Sequence, residues 1–170
     1  HGSSYLGPEH AGVRLKVDPK APLSFVRSAD KSLTPTEQQE MFGLLGKLNR
    51  QTGIHYPDDK NLQARIKSYE LAFQMQSAVP DVMNFQEETQ YVQDLYGLGD
   101  SSTKAFGEKC LAARRLSEQG VRFIQLFHGY RGNAGAWDSH RDIKRLHSKL
   151  AKEVDQPIAG LIKDLKLRGL

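Results

Sequence analysis

The chain has 170 residues, which is enough to bury a hydrophobic core and is typical of one domain. Hydrophobic residues make up 38% of it, and no run approaches the roughly eighteen apolar residues of a membrane span, so no span is predicted. The net charge of +4 comes from 24 basic and 20 acidic residues that are interspersed, which favours an ordinary solvated surface over a nucleic-acid interface.

The N-terminal fifth of the chain and the first helix differ sharply in composition. Residues 1–33 are rich in Gly, Pro and Ser, which predicts an irregular segment. Thr34 then suits a helix N-cap, Pro35 suits the first helical position, and Glu37 completes a capping box. The helix is predicted to end near Gly53. Its apolar stripe consists of Met41, Leu44, Leu45 and Leu48.

Three further helices are predicted before residue 121. The first begins at Asp58 or Asp59 and ends near Pro80. A shorter one covers residues 86–97, and the last covers residues 102–120.

The last of these helices carries the only cysteine and an arginine pair. Its apolar face is predicted to comprise Phe106, Cys110, Ala113 and Leu116. A single cysteine excludes an internal disulfide, and its apolar surroundings favour a buried, inert thiol over a nucleophile. The Arg114–Arg115 pair is interpreted as a solvated face rather than an anion clamp.

The stretch "VRFIQLF", residues 121–127, has the composition of a β-strand. It is β-branched and aromatic, and Gly120 and Gly129 bound it. Helical periodicity resumes after the following loop and continues to Gly169. Pro157 interrupts this region, which predicts either two helices, the second capped by Asp155, or one helix kinked at the proline.

The order helix, strand, glycine-rich loop, helix predicts an α/β fold. Residues 34–170 would form the helix-rich part of a single α/β domain that is incomplete at both ends, because one parallel-type strand cannot satisfy its backbone alone. The remainder of a longer chain is therefore expected.

The loop after the predicted strand contains the candidate functional residues. Ligands in α/β folds gather beyond the carboxyl ends of strands. Asp138 and His140 offer an oxygen and a nitrogen ligand, a mixture suited to zinc, manganese or iron. His147 and His128 are further possible ligands. Alternatively, Asp138 or Ser139 caps the next helix, Trp137 anchors the loop in the core, and His140 and His147 are surface or core histidines with no ligand role. No nucleophile motif occurs, so the catalytic residues stay unknown.

Several sequence blocks together resemble one protein family. They are "SYELAFQMQSAVP", "LYGLGD", "FGEKCLAARRLSEQGVRFIQLFHG", "WDSH" and "DQPIAGLIKDLKLRGL". In this order they are similar to the DUF1501 family, regarded as sulfatase-like and part of the alkaline-phosphatase superfamily. The resemblance implies an α/β/α sandwich of the alkaline-phosphatase type, with divalent metals at the strand ends and export from the cytoplasm. It places the family's Trp-Asp-x-His pattern on Trp137, Asp138 and His140, and a later histidine on His147.

Two hypotheses about function follow. The first is a segment of a metal-dependent hydrolase, with zinc or manganese as the cofactor and a small anionic sulfate or phosphate ester as the substrate. The second is a non-catalytic helical scaffold or interaction module that retains the fold without the activity.

Overall fold

The computed structural model places the chain in two compact units, residues 1–81 and residues 82–170. Of the five helices with assigned bounds among the described residues, one lies in the first unit and four lie in the second; residues 60–64 of the first unit are also helical. In the described part of the chain, no helix is long and apolar enough to cross a membrane. The residues that the structure describes are 12–18, 34–56, 59–64, 66, 79, 81–129 and 137–170.

Helix α1 spans Pro35–His55 and begins with the predicted capping box. The Thr34 hydroxyl accepts a hydrogen bond from the backbone N–H of Glu37, and the Glu37 carboxylate accepts one from the backbone N–H of Thr34 at 2.8 Å. These bonds satisfy two backbone donors that a helix start leaves unpaired, so the helix begins here. The predicted end at Gly53 is wrong by two residues.

The predicted second helix is described only in part. Its start is confirmed, because the Asp59 carboxylate accepts a hydrogen bond from the backbone N–H of Leu62 at 2.9 Å and residues 60–64 are helical. Residues 67–78, which the prediction also covered, lie outside the described residues.

The second unit is built from one short 3-10 helix and three α-helices. In chain order they are η1 (Phe85–Glu87), α2 (Gln90–Leu95), α3 (Lys104–Glu118) and α4 (Ile143–Arg168). Helix α4 packs along α3 and also contacts α2. Helix α2 is short because Thr89 caps its start and Gly97, at φ 67°, ends it.

The core of the second unit lies among α2, α3 and α4. Its buried members come from α2, its C-cap residue Tyr96 and α3, and Val154 and Leu161 of α4 pack against them. The predicted apolar face of α3 is confirmed, since all four of its members are buried. The core cluster consists of Val92, Tyr96, Phe106, Cys110 and Leu111.

The prediction of an α/β fold is wrong for the described residues, which are all-helical and contain no β-strand. Residues 121–127, the predicted strand of an alkaline-phosphatase-like α/β/α sandwich, form no β-ladder with any other described residues. Ile124 and Leu126 are half-buried, whereas the Phe123 side chain is 85% exposed. The composition favours extended backbone, but a strand also needs a neighbouring strand for its hydrogen bonds.

Helix α4 is one helix of 26 residues and not two. Pro157 lies inside it with its side chain buried, and Asp155 caps nothing at this point. Gly169 ends the helix at φ 72°, as predicted, and its N–H points to the carbonyl of Lys166. The backbone hydrogen bonds of the turns on both sides of Pro157 stabilise the helix by more than the loss of the one hydrogen bond that the proline removes.

Candidate metal-binding loop

Asp138 and His140 lie together in the loop that leads into α4. The Asp138 Oδ1 atom is 3.1 Å from the His140 Nε2 atom, and the two side chains are 65% and 85% exposed. Helix α4 begins at Ile143 with Asp142 at its N-cap position, so neither Asp138 nor Ser139 caps it. The alternative that explained Asp138 as a helix cap is therefore wrong.

His128 lies apart from this pair and has both ring nitrogens engaged. The Trp137 indole N–H donates to His128 Nδ1 at 3.1 Å, and His128 Nε2 is 3.0 Å from Glu153 Oε2. Since an indole nitrogen only donates, Nδ1 is the acceptor, and the proton belongs on Nε2, which donates to Glu153. His128 would have to give up one of these bonds to bind a metal.

His147 contacts the same tryptophan. Its Nε2 atom donates to the Trp137 carbonyl oxygen at 3.0 Å, since a carbonyl oxygen only accepts. The ring centroid of Trp137 is 5.7 Å from that of each imidazole, and His128 also makes an edge contact with Phe106. Trp137 thus links the loop to His128 and His147, but it is 41% exposed, so the prediction that it anchors the loop in the core is wrong.

The four candidate ligands are not gathered at one point. Among the described residues, no three His, Cys, Asp or Glu side chains are arranged to hold a metal ion. Asp138 and His140 contact each other, whereas His128 and His147 are hydrogen-bonded to Trp137.

A shallow depression lies beside Trp137 on the surface of α4. Its volume is about 470 Å³ and most of its lining is apolar, with one lysine and one aspartate. It fits an apolar group better than an anion. The lining residues are Trp137, Ala151, Lys152, Val154, Asp155 and Ile158.

The prediction that Arg114 lies on a solvated face is wrong. The Arg114 residue is only 3% exposed. Its guanidinium contacts Glu88 at 2.5 Å, Glu118 at 2.6 Å and Asp164 at 3.2 Å. Arg114 follows Cys110 by four residues and so extends the buried stripe of α3, which is the signal that could have indicated its burial.

Asp164 links the arginine to the centre of the core. Its carboxylate accepts hydrogen bonds from the buried Tyr96 hydroxyl at 3.0 Å and from Arg168 Nε at 2.7 Å. Burial and the neighbouring Asp164 carboxylate together raise the pKa of Tyr96 well above its ordinary value. The phenol therefore stays protonated and acts as a donor.

Glu88 joins the loop before α2 to α3. Its Oε1 atom accepts from both Arg114 and Arg115, and Arg115 also donates to the carbonyl of Asn84 at 2.8 Å. Burial alone would raise the pKa of Glu88, but the hydrogen bonds from Arg115 and Arg114 outweigh it and hold the pKa below its ordinary range. Every charge in this network has an opposite charge beside it, so the network joins helices and offers no reactive group.

The described residues define a helical protein with a buried ion-pair network and an exposed Asp–His loop. The chain belongs to the family described as protein of unknown function (DUF1501), whose model matches residues 1–170. This match confirms the resemblance to the family. No curated protein and no solved structure matches the chain.

Proposed function

We propose that Asp138 and His140 are ligands of a divalent metal, zinc or manganese, in a hydrolase of sulfate or phosphate esters. The contact between Asp138 Oδ1 and His140 Nε2 carries the proposal. The sulfatase-like assignment within the alkaline-phosphatase superfamily, and export from the cytoplasm, are parts of the proposal that rest on the resemblance alone.

The separation of the two atoms supports this role. Ligand atoms at about 2.0–2.2 Å from a tetrahedral zinc lie about 3.3–3.6 Å from each other. The observed separation is 3.1 Å, so both atoms can bind one cation without a large movement of the loop. A carboxylate oxygen and an imidazole nitrogen are also the donors that zinc and manganese accept. The remaining ligands would come from solvent or from outside the described residues.

The surrounding residues fit the proposal in distinct ways. A bound divalent metal would polarise an anionic ester and lower the pKa of a bound water. Trp137, which is hydrogen-bonded to both His128 and His147, fixes the chain directly before Asp138. The apolar depression beside Trp137 would receive the non-reacting part of the ester.

Isothermal titration of the 170-residue chain with zinc and manganese tests the ligand assignment. We expect Asp138→Ala and His140→Ala each to weaken zinc binding at least about tenfold. Asp142→Asn is the matched control, since Asp142 is a carboxylate of the same loop that already pairs with Arg145. Unchanged affinity and stoichiometry in Asp138→Ala would contradict the assignment.

A helical scaffold without catalytic activity is the second candidate function. It is favoured by the lack of a three-ligand group among the described residues and by the buried ion-pair network that joins their helices. Hydrolysis assays with 4-nitrophenyl sulfate and 4-nitrophenyl phosphate separate the two candidates. Turnover that a chelator and Asp138→Ala both abolish supports the hydrolase, whereas metal binding without turnover supports the scaffold.

A further inference from the structure

Helix α1 exposes an apolar stripe that nothing described in its own unit covers. Its members follow the spacing i, i+3, i+4, i+7, which places them on one side of the helix. Their side chains are between 42% and 59% exposed. An amphipathic helix is stabilised when such a stripe is buried against another element. The stripe consists of Met41, Leu44, Leu45 and Leu48.

Two opposite charges border one edge of this stripe. Glu40 and Lys47 are seven residues apart, so they lie about two turns from each other on the same side of α1. Both are exposed, and neither forms an ion pair with another residue in the part of the chain that the structure describes. On the opposite edge, the stripe residue Leu45 and the neighbouring Thr52 are both uncharged.

We propose that α1 pairs with α1 of a second copy of this chain, in antiparallel orientation. The apolar layers would place Met41 of each copy beside Leu44 of the other. In this register Glu40 of each copy lies next to Lys47 of the other, because residues before the core positions face each other in antiparallel pairs. The two-fold symmetry forms this ion pair twice.

The same charges disfavour the other simple arrangements. An antiparallel register that moves Leu44 beside Leu48 of the second copy brings Lys47 against Lys47, which is repulsive. A parallel pair places Glu40 beside Leu45 of the second copy and forms no ion pair at this edge. Among these three arrangements, charge complementarity therefore favours the antiparallel pair with Met41 beside Leu44.

Sedimentation velocity of the 170-residue chain, from micromolar to millimolar concentration, tests the proposal. We expect a monomer–dimer equilibrium in the unaltered chain and a monomer in Leu44→Lys. Glu40→Lys and Lys47→Glu should each weaken the dimer about tenfold, because each replaces two attractive pairs with two repulsive ones. The double variant Glu40→Lys/Lys47→Glu should restore the dimer.

The controls separate self-association from a loss of folding. Lys60→Glu changes an exposed lysine outside α1 and should leave the equilibrium unchanged. Helix content of every variant is followed by circular dichroism. A chain that is monomeric at all concentrations would overturn the proposal, and so would a dimer that the charge reversals leave intact or that the double reversal does not restore.

Discussion

Glu88 pairs with two arginines of the buried network through a single carboxylate oxygen, which accepts a hydrogen bond from each. Its pKa in the folded chain is below the ordinary value of 4.5. The unfolded chain therefore takes up the proton first on acidification. The stability that Glu88 contributes is complete above about pH 4.5 and is lost as the pH falls towards the folded-state pKa.

The lowered pKa of Glu88 predicts how Glu88→Gln changes the pH dependence of the free energy of unfolding. At about pH 6 the variant should be about 3 kcal/mol less stable, because the buried Arg114 and the half-buried Arg115 lose the carboxylate that they share. Between about pH 6 and pH 3 it should lose less stability than the unaltered chain does. Urea unfolding at each pH measures both quantities. Glu87→Gln, which alters an exposed carboxylate bonded to Asn84, should keep the original pH slope. An equal slope in Glu88→Gln would contradict the role given to Glu88.

Cys110 allows a second prediction at the scale of one residue. The thiol is fully buried, and burial raises its pKa to about 12, although nearby Lys109 lowers it slightly. The reactive thiolate is therefore scarce at neutral pH. We expect Ellman's reagent to react at least about a hundredfold more slowly with the folded chain than with the chain in denaturant. Rapid labelling of the folded chain would show that α3 is not packed as described.

At the scale of elements, two glycines set how closely the helices approach. A Cβ atom at Gly107 of α3 would overlap the carbonyl oxygen of Tyr96, and one at Gly160 of α4 would overlap the carbonyl oxygen of Leu95. Both carbonyls belong to the end of α2. Helices α3 and α4 therefore reach the same short helix through positions that have no side chain.

Alanine at these positions should destabilise the chain, although alanine usually stabilises a helix. We expect Gly107→Ala and Gly160→Ala each to lower the free energy of unfolding by about 1–3 kcal/mol. Gly99→Ala is the control, because a Cβ there meets nothing within 4 Å. Urea denaturation measures all three. A gain in stability in Gly160→Ala, as intrinsic helix propensity predicts, would contradict the close packing of α4 on α2.

Helix ends could be predicted from the sequence, whereas contacts between residues that are distant in sequence could not. The Thr34–Glu37 capping box and the final Gly169 depend on residues within one turn, so the sequence contains the whole signal. Residues 121–127 have strand composition, but whether they form a strand depends on a partner that composition does not reveal. The burial of Arg114 depends on Glu88 and Asp164, which are far away in sequence.

The candidate site shows the same division. The spacing of Asp138 and His140 allowed the two side chains to converge, and the structure brings them together. The sequence did not indicate that His128 and His147 would instead hold Trp137, because the Glu153 and Trp137 contacts depend on how the loop packs against α4.

At the scale of the whole molecule, the proposed metal site at Asp138 and His140 would give this chain of the DUF1501 family a hydrolase activity. The proposed pairing of α1 concerns the other compact unit. It would hold even if the loop bound no metal. The two proposals therefore stand or fall by separate experiments.

Anomalous diffraction at the zinc edge, from crystals grown with zinc, tests the central proposal most directly. We expect one anomalous peak bonded to Asp138 Oδ1 and His140 Nε2 at about 2.0–2.2 Å, and no such peak in Asp138→Ala crystals. Zinc bound only elsewhere, with Asp138 and His140 still in contact with each other, would contradict the proposal.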